Sequence, residues 1–174
     1  MTAATTSSHR VLGFPNPVNE KAARVVAAGA TAMALSVALL GWGWMLIPLT
    51  YGFIARVLTG PTLSPLGRFA VDVAAPRLGS PRFTAGPPKR FAQGIGVVFS
   101  VSASLLWLAG APTAARVVAG ALATAAFLEA AFGFCLGCRI FALLMRIGVI
   151  PEDVCEECND LSLRIPALRT AGTD

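Results

Sequence analysis

The chain has 174 residues, of which 55% are hydrophobic and only 13% are charged, and its net charge is +5. Soluble domains carry about 25% charged residues, so this composition argues against an ordinary soluble domain and indicates a membrane protein of one domain. The basic residues lie scattered between long apolar runs and form no stripe, which argues against nucleic acid as a partner.

The segment 1–21 precedes the first apolar run and is expected to be a disordered cytoplasmic N-terminal segment. It contains His9, the only histidine of the chain, so Ser-His or Cys-His catalysis has almost no support. A cleaved signal peptide is the alternative for the first run. The long hydrophilic stretch before the run, and the poor cleavage site in "LGWGW" at 40–44, favour a retained span.

Four apolar runs predict an all-α, polytopic membrane domain over residues 22–147. A spanning helix needs about 20 mainly apolar residues. The third and fourth runs reach this length, the first reaches it with its flanks, and the second is short and contains Pro48. A soluble alternative would bury an unusually long helical region. The runs cover residues 25–40, 44–55, 91–109 and 117–134.

The charges around these runs predict an orientation. Of the 14 Lys and Arg residues, all except Arg116 lie on one side of the four predicted spans. By the positive-inside bias that side is cytoplasmic, so the chain is predicted to be a multi-pass protein of the inner (plasma) membrane with both termini in the cytoplasm. Trp42, Trp44 and Trp107 fall at the opposite ends, where an indole ring is buried while its N–H stays in contact with water.

Small residues recur four positions apart within three of the predicted spans. In lipid, helices associate through close packing, and small residues let their backbones approach. We therefore expect these positions to lie at helix crossings. They are Ala30, Ala34 and Ala38; Ala92, Gly96 and Ser100; and Gly120 and Thr124.

The predicted cytoplasmic loop, residues 59–90, contains six prolines. Regular structure is therefore not expected over most of it, apart from one short surface helix around 66–73. The loop arginines are expected to meet anionic lipid headgroups. The alternative is an anion-binding clamp over the cysteines described next.

Two Cys-x-x-Cys pairs follow the fourth predicted span. Cys135 and Cys138 lie at its cytoplasmic end, and Cys155 and Cys158 lie in the predicted cytoplasmic tail, 148–174. The cytoplasm is reducing, so a permanent structural disulfide is not expected. A zinc site, a redox pair and simple packing remain as interpretations.

In the zinc interpretation, Cys135, Cys138, Cys155 and Cys158 bind one metal ion. Their spacing, Cys-x2-Cys-x16-Cys-x2-Cys, is typical of zinc sites with four thiolate ligands. Acidic neighbours of the second pair would attract a cation and would raise the pKa of those thiols.

In the redox interpretation, Cys135 and Cys138 act as a dithiol. Glycines at 133 and 137 indicate a break in the helix, and residues 139–147 are expected to form a new helix along the interface. One of the two thiols would then lie at a helix N-terminus beside Arg139, and both features stabilise a thiolate.

In the packing interpretation, the first pair is merely buried, as cysteines often are. That accounts for one cysteine better than for two matched pairs within 24 residues.

Glu129 is an acid inside the fourth predicted span. A carboxylate there is costly unless it faces the bundle interior, is neutral or is paired. Arg56, near the cytoplasmic end of the second span, is a candidate partner. Glu129 is interpreted as a structural group, with proton transfer to the thiols as the alternative.

Three strings resemble domain-of-unknown-function family 4395, small bacterial membrane proteins. They are "APRLGSP" at 75–81, "PPKRFAQGIG" at 87–96 and "AFLEAAFGFCLGC" at 126–138. The resemblance implies a four-span protein without an assigned activity, and an association with thioredoxin-like and sulfurtransferase-type proteins. It also implies that Arg90, Gln93, Cys135 and Cys138 are the residues of this chain that match the family's motifs. It implies Asn where this chain has Glu129, and it does not extend to the second cysteine pair.

We therefore expect a bacterial membrane protein that handles thiols or sulfur with a thioredoxin-like or sulfurtransferase partner, as a relay without independent enzymatic activity. Cys135 and Cys138 would do the chemistry beside Arg139, and Cys155 and Cys158 would resolve or brace them. A membrane scaffold with structural zinc is the alternative. A small transporter of sulfur species is weaker, because the spans carry few polar groups.

Overall fold

The computed structural model describes residues 16–151, whose regular elements are helices and one pair of two-residue strands. A 3₁₀ turn, Gly43–Met45, leads into α2, and a π-helical turn, Ala70–Ala74, joins α3 to α4. The two strands pair antiparallel, with Val18 opposite Thr84. In chain order the elements are β1 (Val18–Asn19), α1 (Glu20–Leu40), α2 (Leu46–Thr59), α3 (Pro65–Phe69), α4 (Ala75–Arg77), β2 (Phe83–Thr84), α5 (Gly86–Leu108), α6 (Pro112–Phe132) and α7 (Leu136–Arg146).

Three of these helices, α1, α5 and α6, are long and apolar enough to cross a membrane. They have 21, 23 and 21 residues, and at about 1.5 Å per residue each exceeds the roughly 30 Å hydrocarbon core. They confirm the first, third and fourth predicted runs as helices. The second run forms a shorter apolar helix, Gly43–Thr59, which includes the 3₁₀ turn.

The four apolar helices form an antiparallel bundle in which α1 lies against α6, α6 against α5, and α5 against α2. At one end, Arg24 of α1 donates to the carbonyls of Ala130 and Ala131, at 3.1 and 2.7 Å. At the other end, Arg116 of α6 donates to carbonyls at the end of α1. Each arginine thus supplies donors to the last carbonyls of a neighbouring helix, which would otherwise be unpaired.

Small residues line the helix crossings only in part as predicted. Ala30 and Ala34 are buried, and a Cβ at Gly96 would lie 2.3 Å from the Phe53 ring, so α5 and α2 approach closely there. Gly120 faces α1 as predicted, since a Cβ there would lie 3.8 Å from the Ala38 Cβ, whereas the prediction for Thr124 is wrong because Thr124 is exposed. The buried face of α6 instead carries Ala115, Ala119, Leu122, Ala123 and Ala126.

The three tryptophans gather at one end of the bundle, as the sequence predicts. The rings of Trp42 and Trp44 stack with their centroids 6.2 Å apart. A Cβ at Gly43 would lie 2.1 Å from the Trp107 ring, so any larger residue at this position would displace that ring. This is the end at which Arg116 binds the carbonyls of α1, opposite to the end that carries Cys135.

The proline-rich loop is more regular than predicted. The expected short helix is present as α3 and the π-helical turn, and α4 extends it to Arg77. The broader prediction of little regular structure is wrong because prolines occupy the first turns of α3, α4 and α5. A helix does not use the N–H groups of its first turn, so proline is tolerated there. Ala70 and Ala75 are buried against Ala22 and Val26 of α1, which fixes the loop to the bundle.

Candidate functional site

Cys135 begins the last helix. Gly133 ends α6 in the left-handed conformation, at φ 68°, and the chain then turns so that Cys135 caps α7. The Cys135 Sγ accepts the backbone N–H of Cys138 at 3.4 Å. The predictions of a helix break before the cysteines and of a thiol at a helix N-terminus are both confirmed.

Helix α7 is held against the start of α5. Phe141 is 5% exposed and packs on Phe91, with the ring centroids 5.6 Å apart. Gly137, between the two cysteines, lies so close to α5 that a Cβ would be 2.6 Å from the Cα of Ala92. The glycine of the Cys-Leu-Gly-Cys motif is therefore required by a backbone contact.

Replacing Gly137 with Ala is expected to push α7 away from α5, because the new methyl group would overlap backbone atoms that cannot move independently. We expect a loss of about 1–3 kcal/mol in the free energy of unfolding, as for other overpacked sites. Gly94→Ala is the matched control, since a Cβ at Gly94 meets nothing within 4 Å. Thermal unfolding in detergent measures both variants, and equal midpoints would contradict the close contact.

The two thiols are electrostatically different. The pKa of Cys135 lies below its ordinary value, mainly because the Cys138 thiol donates a hydrogen bond to it, with help from the positive charge of Lys89; burial and Glu129 oppose the shift. The pKa of Cys138 is raised, because it is the donor in that hydrogen bond and is itself half-buried. Cys135 therefore ionises first and is the more reactive nucleophile.

This asymmetry predicts a pH dependence for alkylation. With iodoacetamide, Cys135 should react at lower pH than Cys138, because only the thiolate reacts and the pKa of Cys135 is the lowered one. Cys138→Ala removes the thiol donor and should shift the Cys135 profile to higher pH, whereas Cys138→Ser keeps a donor and should shift it less. Peptide-resolved mass spectrometry across the pH range measures each profile, and identical profiles in both variants would refute this origin of the asymmetry.

Arg139 lies elsewhere than the sequence suggests. It is exposed, and its guanidinium lies 5.2 Å from the centroid of the Phe134 ring. The cation that lowers the pKa of Cys135 is Lys89, at the start of α5. Lys89 is the residue that the sequence does not single out; the available signal is the pair of cations, Lys89 and Arg90, directly before an uncharged span.

Lys89 also forms the ion pair that holds Glu129. Its Nζ contacts the Glu129 Oε1, and the two side chains are only 8% and 12% exposed. The sequence offers Arg56 as a candidate partner of Glu129, but the ion pair is made by Lys89, and Glu129 acts on Arg56 only through its charge. Helix α5 lies directly beside α6, whereas Arg56 belongs to α2, which packs mainly on α5.

Arg56 is instead held by polar groups of its own neighbourhood. Its Nε donates to the Gln93 Oε1 at 2.8 Å, and its Nη1 donates to the Ser64 hydroxyl at 3.3 Å. Its guanidinium also lies 4.7 Å from the centroid of the Phe53 ring, a cation–π contact. Gln93, one of the residues that match the family's motifs, thus positions this arginine.

Arg90, which matches the same motif, is exposed and donates to the Val57 carbonyl at 3.1 Å.

Two cavities meet at Arg56 and Gln93. One, of about 180 Å³, is also lined by Cys135 and Glu129. The other, of about 320 Å³, is also lined by Lys89, by β1 and by the loop after α2. The site therefore combines a reactive thiol, a buried ion pair and a buried guanidinium around two cavities that share Arg56 and Gln93 as lining residues.

The second cysteine pair, Cys155 and Cys158, lies outside the described residues. Within residues 16–151, no group of three or more His, Cys, Asp or Glu side chains is arranged to hold a metal ion, and Cys135 and Cys138 are free thiols. The four-thiolate zinc site stays a prediction, because half of its ligands lie beyond that range.

Comparison with known proteins identifies the family. The family model described as "Domain of unknown function (DUF4395)" matches residues 18–146, which include the helices α1, α2, α5 and α6 and the first cysteine pair. The chain therefore belongs to this family. Neither the curated proteins nor the solved structures contain a match.

Proposed function

We propose that this DUF4395 protein is a thiol or sulfur relay at the cytoplasmic face of a bacterial inner membrane. It would work with a thioredoxin-like or sulfurtransferase partner. The observation that carries the proposal is the Cys135–Cys138 pair, in which one thiol caps a helix and accepts two hydrogen bonds from the other residue. Such a pair combines an activated nucleophile with a thiol that can resolve the product.

The exchange reaction follows from this asymmetry. The Cys135 thiolate attacks one sulfur of the partner's disulfide, and the partner's other sulfur leaves as a thiolate. Cys138 then loses its proton and attacks Cys135 in the mixed disulfide, releasing the partner's second thiolate. Two electrons pass from the pair to the partner, the partner's thiolates take up the two protons, and a Cys135–Cys138 disulfide remains.

Burial of the nucleophile favours sulfur transfer as a second reaction of the same site. Cys135 is 8% exposed and lines the cavity of about 180 Å³, which has room for an additional sulfur atom. Its thiolate would attack the terminal sulfur of a partner's persulfide, forming a Cys135 persulfide and releasing the partner's thiolate.

The topology proposed with this function has four spans. The helix Gly43–Thr59 has 17 residues, which is about 25 Å of helix and sufficient to cross where the bilayer is locally thin. Its antiparallel packing on α5 supports this assignment. The excess of basic residues at the thiol end and the tryptophans at the other support cytoplasmic termini.

The test uses the full chain purified in detergent. Reduced protein is mixed with oxidised thioredoxin, metal content is measured, and peptides are analysed by mass spectrometry. We expect metal-free protein and a Cys135–Cys138 disulfide that reductant reverses. One zinc ion per chain with four protected thiols would overturn the relay and establish the zinc scaffold.

A further inference from the structure

Arg56 has donors that no described residue accepts. Its side chain is almost completely buried, at 4% exposure, and its Nη2 has no hydrogen-bond partner among residues 16–151. A guanidinium keeps its charge in proteins, so this nitrogen cannot become satisfied by losing a proton. Buried polar groups normally have partners, and a buried charged donor without one indicates a missing acceptor.

The charges around Arg56 point to the same acceptor chemistry. In the described part of the chain the two buried charged residues, Arg56 and Lys89, are both cations. The only acid in contact with either of them there is Glu129, which pairs with Lys89. While the thiols are neutral, this cluster carries one uncompensated positive charge, and buried charges persist when they are paired.

The space beside these cations suits a small ligand. Arg56, Lys89 and Gln93 all line the cavity of about 320 Å³. Arg56 and Gln93 also line the cavity that Cys135 lines. An anion on the guanidinium would therefore lie next to the cavity that Cys135 lines.

We propose that Arg56, assisted by Lys89 and Gln93, binds a tetrahedral oxyanion group, of the size and charge of sulfate or thiosulfate. Arginine suits this ligand because its planar N–H groups match two oxygens of an oxyanion at once. The Gln93 amide, held by Arg56 Nε through its oxygen, keeps its N–H groups available as further donors. Anion binding at Arg56 is independent of the proposed function. The idea that the bound anion supplies the sulfur handled at Cys135 rests on that function.

The experiment titrates sulfate and thiosulfate into the full chain in neutral detergent and follows the heat of binding. We expect saturable binding of one anion per chain. Arg56→Gln should weaken it at least about tenfold, as expected for the loss of a charged hydrogen-bond donor. Arg90→Gln is the matched control, because it removes an exposed arginine adjacent to Lys89 and should leave the affinity unchanged.

Two further measurements make the result decisive. Arg56→Lys keeps the charge but loses the two-oxygen contact, so it should fold where Arg56→Gln fails and should still bind more weakly than the natural chain. A chain with Cys135→Ser and Cys138→Ser should bind at least as tightly, since no thiolate competes; this keeps the outcome independent of the relay.

A lipid phosphate is the other source of the same oxyanion chemistry. Adding phosphatidylglycerol to the micelles should leave sulfate binding intact if the ligand is a free anion, and should displace sulfate in an Arg56-dependent way if it is a headgroup. Either result supports the site and identifies its source. Absence of saturable binding of all three probes, or equal losses in Arg56→Gln and Arg90→Gln, overturns it.

Discussion

Cys138→Ser is expected to trap Cys135 in a stable mixed disulfide with oxidised thioredoxin, whereas Cys135→Ser is expected to form almost none. The reason is the division of roles in the pair: the pKa of Cys135 is lowered and that of Cys138 is raised, so Cys135 is the thiol that attacks the partner's disulfide. Without Cys138 the intermediate has no neighbouring thiol to resolve it. The adduct should then persist at least about a hundredfold longer, since an intramolecular step is replaced by a bimolecular one.

The measurement is a time course on non-reducing gels with reduced full-length chain in detergent. Cys155 and Cys158 are replaced by Ser in every sample, so that they cannot resolve the adduct in place of Cys138. The two single variants are matched, because each exchanges one sulfur for oxygen. Equal amounts of adduct from both would contradict the assignment of Cys135 as nucleophile, and adduct from neither would contradict exchange with this partner.

The helices could be predicted from the sequence because each apolar run is bounded by charges, glycine or proline. Helix α5, for example, begins among Pro87 and Pro88, which suit a first turn, and ends before Gly110. The helical region 65–77 was underestimated for a related reason. A count of prolines does not show whether each proline falls inside a helix or at its start. In this loop, prolines lie in the first turns of three helices.

The thiol site could be predicted only in its local part. Gly133 and the Cys-x-x-Cys pattern are adjacent in sequence, so a helix start at Cys135 follows from short-range rules. The partners of the site depend on which helices are neighbours. Because α5 lies beside α6, Glu129 forms an ion pair with Lys89, and Arg56 donates a hydrogen bond to Gln93. The order of helices around a bundle is set by packing over the whole chain, and hydropathy and charge patterns do not encode it.

The second large effect is expected at that ion pair. Glu129→Gln leaves Lys89 and Arg56 as buried cations without a carboxylate, and removing one partner of a buried pair costs about 3–5 kcal/mol. Lys89→Met should cost less, because Glu129 then keeps the charge of Arg56 as its counterpart, whereas in Glu129→Gln both cations lack a carboxylate. The double variant Lys89→Met/Glu129→Leu should recover part of the loss, since apolar groups of similar size remove both desolvation penalties.

Equilibrium unfolding of the full chain in mixed micelles measures these differences. Arg68→Gln provides the control. The Arg68 Nε lies 3.9 Å from the Asp72 Oδ2, and the two side chains are 69% and 62% exposed. Breaking such a pair should change the free energy of unfolding by less than about 1 kcal/mol. If Glu129→Gln is no more harmful than Arg68→Gln, the carboxylate does not balance the buried cations. If Lys89→Met costs more than Glu129→Gln, the cluster carries no excess of positive charge, and the electrostatic basis for an oxyanion at Arg56 fails with it.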